Sequence, residues 1–99
     1  MAIDTSEITL EETPTAGRYV FRANGAEAEM TFSKEGEDLI IIDHTGVPDA
    51  FRGQGVGLAL VLRGVLDARA TGKKILPLCS FAEAQFRRHP DWSDVLSTR

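Results

Sequence analysis

Polar and apolar positions alternate in the first half of the chain. "RYVFRA" (18–23) and "AEMTFSK" (28–34) alternate with aromatic and β-branched residues, which predicts two strands. "NGAE" between them predicts a hairpin turn centred on Asn24-Gly25. "EGED" (35–38) predicts a second turn, and "LIIIDHTGV" (39–47) a third strand whose apolar run implies burial on both faces. Residues 1–17 begin with alternating polarity and end in "TPTAG", a turn signal. The first half therefore reads as an antiparallel meander.

After "PDAFRGQ" the period changes. A helix is predicted from about Gly55 to Thr71: Val56, Leu60, Val61, Val65 and Leu66 fit helical spacing, and Leu58, Leu62 and Ala68 widen the apolar face. Gly72 is its stop signal. "KKILPLC" (73–79) reads as a buried strand, so a strand, a helix and a strand form a βαβ crossover with 39–47 and 73–79 parallel. "SFAEAQFRRH" (80–89) predicts a second helix with a capping box of Ser80 and Glu83, and Pro90 ends it. The tail "DWSDVLSTR" has no periodic pattern. The predicted fold is α+β: a mixed sheet, made of an antiparallel meander and a βαβ crossover, followed by a C-terminal helix.

Composition narrows the function. A chain of 99 residues fits one small domain, 1–99. The net charge of −4 argues against a nucleic-acid-binding surface. The longest apolar run, Val56 to Leu62, falls far short of the ~20 residues of a membrane span, and the acidic N-terminus lacks an apolar signal core. The single cysteine, Cys79, excludes an internal disulfide and gives no zinc pattern, so no metal is expected and a reducing, cytoplasmic setting is the simplest reading.

The stretch "FRGQGVGLALV" (51–61) places three glycines at the mouth of the predicted helix. Helix first-turn N–H groups lack intrahelical partners and attract anions. Glycines let a phosphate reach the backbone because no Cβ intervenes. A tight loop would use the same residues. The pattern is neither a P-loop nor a dinucleotide fingerprint, since no Gly-Lys-Ser/Thr follows and the glycines stand at 53, 55 and 57.

Arg52-x-x-Gly55-x-Gly57 resembles the Q/R-x-x-G-x-G/A signature of the GNAT superfamily of acetyl-CoA-dependent N-acetyltransferases. "HTGVPDAFRGQGVGLALV" followed by "KKILPLCSFAEAQFRRHPDW" resembles its small, single-domain members, over residues ~18 to 96. The resemblance implies a coenzyme A site in which loop N–H groups hold the pyrophosphate and the preceding strand holds the pantetheine arm. Carried onto this chain, the cofactor-binding residues are Thr45, Val47, Arg52, Gly53, Gln54, Gly55, Val56, Gly57 and Leu58. The implied reaction is acetyl transfer from acetyl-CoA to an exposed primary amine: a small molecule, a polyamine or a protein lysine. Many relatives carry a larger or acidic residue where Gly46 stands. The tyrosine acid of larger relatives has no counterpart, since the only tyrosine, Tyr19, lies in an early strand.

Acetyl transfer needs the amine deprotonated, the thioester carbonyl polarised and the leaving thiolate protonated. Backbone N–H groups near Val47 are implied for the second task. His44 is the candidate base by residue type, imidazole having an ordinary pKa of ~6.5; a strand-capping histidine is the plain alternative. Cys79 ends the second parallel strand, at a helix start, where a thiol becomes more acidic. It is the candidate proton donor or transient acetyl acceptor, against the alternative of a small buried apolar residue. Arg87, Arg88 and His89 form a basic cluster suited to the 3′-phosphate of coenzyme A or to a solvated helix face. Phe81 and Phe86 suit the core or the wall of the pantetheine slot. The alternative from a different class is a coenzyme A or acyl-CoA binding module without turnover. A third is a site for another phosphate ligand such as a nucleotide. An exposed strand edge in the first half would allow a second chain to pair.

Overall fold

The computed structural model describes residues 3–97. Five strands form one sheet in chain order: β1 (Thr9–Glu12), β2 (Ala16–Ala23), β3 (Ala26–Glu35), β4 (Leu39–Gly46) and β5 (Lys74–Pro77). The first three junctions are antiparallel and β4–β5 is parallel, with helix α1 (Val56–Thr71) as the crossover between them. Helix α2 (Ser80–Arg88) follows β5. This is the α+β arrangement that the hydrophobic pattern predicts. The β2–β3 hairpin closes on Asn24-Gly25, both at positive φ (53° and 78°), as a two-residue turn requires.

The helices cover one face of the sheet. The buried stripe of α1 is Val56, Gly57, Ala59, Leu60, Val61, Gly64, Val65 and Ala68, and its apolar side chains meet Tyr19, Phe21, Met30, Phe32, Ile42 and Ile75 in one cluster. Leu58 and Leu66, expected on that face, lie exposed, because the stripe runs at intervals of three and four from Val56 and passes them by. In β4 only Ile40 and Ile42 are buried; Leu39 and Ile41 are half-buried on the open face, so the expected burial on both faces holds for one.

Three further features depart from the sequence reading. β1 is an edge strand in a segment read only as alternating and turning; cross-strand pairing holds it, with Glu11 bridging Arg18 and Arg22 at 2.9 and 3.0 Å. The capping box of Ser80 and Glu83 does not form. The Ile42 carbonyl accepts from the N–H groups of both Leu78 and Cys79, so β5 ends early and Cys79 becomes the N-cap of α2. Glu83 pairs instead with Arg87 at 3.3 Å. The tail forms a 3-10 helix, Pro90–Val95, whose Trp92 meets Phe86 edge-on and stacks on His89 with centroids 4.1 Å apart. Leu96 then bridges Ile75 along the outer edge of β5. Among the described residues no helix is long and apolar enough to cross a membrane.

Candidate functional site

The site begins at a fault in the sheet. β3 and β4 keep register up to Phe32↔Ile42, and the next pair is Thr31↔His44, so Asp43 is an extra residue. Such a bulge bends its strand. Beyond it β5 stops pairing at Pro77 while β4 runs on to Gly46, so the parallel strands part at Ile42. After the bulge His44 shares the open face with Thr31. Thr45, opposite the buried Met30, points to the helix side.

At that parting Cys79 Sγ lies 3.4 Å from Thr45 Oγ1. Burial opposes ionisation of the thiol. The Thr45 hydroxyl and the backbone N–H groups of Ala82, Phe81 and Thr45 outweigh burial, and the pKa falls below the ordinary thiol value. We expect the rate of Cys79 alkylation by iodoacetamide to rise with pH at a midpoint below that of a free cysteine. Thr45→Val should move the midpoint up. A wild-type midpoint at or above that of free cysteine would contradict the assignment.

The glycine loop connects β4 to α1. Gly55 caps α1 in the left-handed conformation (φ 74°), and no side chain among the described residues caps the helix, so the first-turn N–H groups are left to solvent or ligand. They open onto a groove of about 360 Å³ lined by Val47, Arg52, Gly53, Gly55, Val56, Gly57 and Leu58, with Phe51, Phe81, Gln85 and Arg88 completing it. Gly57 has a packing reason as well. A Cβ there would stand 2.7 Å from Phe81 Cζ, so its absence lets α2 cross over the first turn of α1. Phe81 forms a wall of the groove.

Seven of the nine residues assigned to the cofactor thus line one groove. Thr45 lies beside Cys79 instead. The Gln54 side chain donates to the Ala50 carbonyl at 3.2 Å and borders an adjoining apolar hollow with Ile3 and Leu62, which shares Gly53, Gly55 and Leu58 with the groove. His44 lies exposed on the open face, on the other side of β4 from Thr45. Arg52 makes an exposed pair with Asp49. Arg87 is engaged by Glu83, whereas Arg88 has no carboxylate partner among the described residues and borders the groove. Gln85 and Phe51 escaped the sequence reading. The spacing Phe81, Gln85, Arg88 is one helical stripe and was the available signal for Gln85.

An uncapped helix N-terminus, a left-handed glycine, two arginines and an apolar wall suit a phosphorylated ligand with a slender arm. A family model for GCN5-related N-acetyl-transferases matches residues 18–95. The solution NMR structure of a GCN5-like candidate N-acetyltransferase from Staphylococcus aureus is similar with a TM-score of 0.67 and 34% sequence identity, over 93% of this chain and 90% of that one. No curated protein matches the chain. Motif, groove and topology agree with these matches: the chain belongs to the GCN5-related N-acetyl-transferase family and is an N-acetyltransferase.

Proposed function

We propose that this protein transfers acetyl from acetyl-CoA to a primary amine, in the cytoplasm. The observation that carries the donor assignment is the uncapped N-terminus of α1 opening onto the groove between Arg52 and Arg88. Acetyl-CoA supplies an activated acyl group as a thioester. The N–H groups of Val56, Gly57 and Leu58 hold the pyrophosphate, Arg52 and Arg88 neutralise phosphate charge, and Val47 and Phe81 flank the pantetheine arm. Cys79, acidified beside Thr45, gives a proton to the leaving thiolate. His44 takes the proton of the amine.

Thermal unfolding with and without acetyl-CoA tests this reading. A ligand at ~100 times its dissociation constant adds ~2.7 kcal/mol. For a domain of this size each 1 kcal/mol raises the midpoint by ~4–8 °C. No shift at millimolar acetyl-CoA would overturn the donor assignment. An equal shift with ATP would reduce the groove to a general phosphate site.

A further inference from the structure

A hollow of about 510 Å³ opens on the face of the sheet opposite the helices. Ala16, Thr31 and Ser33 line it beside the backbone at Gly17, with Glu11 and Arg18 toward β1 and Asp43 toward β4. The carboxylates toward β1 are already matched. Glu11, Glu27 and Glu29 are held by Arg18 and Arg22, and Glu12 by Lys34. Asp43 differs from them. It accepts from the Ser33 hydroxyl at 2.9 Å and has no cationic partner among the described residues.

Asp43 is the extra residue of the bulge, and His44 beside it is also exposed, on the face of Thr31. The imidazole leans over Gly46, where a Cβ would stand 3.1 Å from Nε2. One residue before Asp43, the Ile42 carbonyl holds the backbone of Cys79, and one residue after His44, Thr45 holds its thiol. A carboxylate, an imidazole and an open hollow therefore lie on one side of the parting, and the thiol lies on the other with the donor groove.

We infer that this hollow receives the acyl acceptor, and that the Asp43 carboxylate holds it as a primary alkylammonium ion beside His44. The inference rests on the acetyl-transfer reading above. An alkylamine arrives protonated at neutral pH, so a carboxylate recognises it and an adjacent imidazole must then take one proton. The freed nitrogen bonds to the acyl carbon, the C–S bond breaks with its electrons on sulfur, and that sulfur takes the Cys79 proton; the second proton of the nitrogen leaves to solvent as the amide forms, and solvent returns a proton to the Cys79 thiolate. Small side chains on the floor of the hollow leave room for a slender chain, and the two substrates enter from opposite faces.

The test is initial-rate acetylation of Nα-acetyl-lysine amide, cadaverine and aniline, the last uncharged at neutral pH. Asp43→Asn should raise KM for the two alkylamines by about tenfold, the size of one charge-assisted hydrogen bond. It should leave KM for acetyl-CoA and the rate with aniline within about twofold, and Asp43→Glu should recover part of the loss. An unchanged alkylamine KM, or an equal loss with aniline, overturns the inference and leaves acetyl transfer standing. In parallel, cadaverine is titrated against the coenzyme A complex, followed by amide NMR shifts. Thr31, Ser33, Asp43 and His44 should move in the wild type and need about tenfold more cadaverine to move in Asp43→Asn; movement elsewhere alone, or an unchanged midpoint in Asp43→Asn, overturns the inference. Shifts without turnover would remove the transfer reading and keep the amine site, and absence of both would remove both. Faster turnover of the lysine amide marks a peptide acceptor, and faster turnover of cadaverine a free diamine; either result upholds the site.

Discussion

Gly55→Ala is expected to remain folded and to lose about 100-fold in affinity for acetyl-CoA. Two effects are involved, and the chain contains the control that separates them. Gly55 has φ 74°, which costs an L-residue roughly 1–2 kcal/mol. A Cβ at this position meets nothing within 4 Å, so the loss of stability is conformational and not a clash. Gly72, at the other end of α1, has the same φ of 74° and equally empty surroundings. Gly72→Ala should therefore lower the unfolding midpoint by a similar amount.

Of these two glycines only Gly55 borders the groove. A methyl group there holds a phosphate away from the first-turn N–H groups, and each charge-assisted hydrogen bond to such a group is worth about 1.5–3 kcal/mol. Loss of two corresponds to about 100-fold or more in dissociation constant. The measurement is the acetyl-CoA-dependent thermal shift of both variants, with calorimetry for the affinity. The expected pattern is equal destabilisation, with the ligand shift kept in Gly72→Ala and nearly abolished in Gly55→Ala. Equal ligand shifts in the two would mean that the pyrophosphate lies elsewhere.

The contrast between Gly55 and Gly57 shows what a sequence reveals and what it hides. The crowding of glycines before an apolar run is local, so the strand, loop and helix order was legible, as was the Asn24-Gly25 hairpin. That Gly57 accommodates Phe81 depends on how α1 crosses α2, which no local pattern encodes. β1 was hidden for a related reason. Its four residues include two glutamates, and what holds Glu11 is a pair of arginines on the next strand. The bulge was hidden because it is a relation between strands: Asp43 reads as one more strand residue until Phe32 and Thr31 are seen to pair on either side of it. Without the bulge, strict alternation would set His44 on the face of Ile42. The extra residue places it on the open face instead.

That placement leads to the prediction with the largest kinetic effect. His44→Gln should lower kcat for acetylation of an alkylamine by about 10²–10⁴-fold, the usual contribution of a positioned general base. The side chain is exposed, so the substitution should leave the fold and its midpoint within about 0.5 kcal/mol of wild type. The acetyl-CoA thermal shift should be unchanged, because the groove does not include His44. A loss confined to kcat assigns proton transfer to the imidazole, since a residue serving only to seat the amine would raise KM. Cys79→Ala is the complementary variant: it stands on the helix side beside Thr45 and should also keep the ligand shift. If His44→Gln turns over within about twofold of wild type, the base is not the imidazole. The open face would then serve to hold the amine, and water would take its proton.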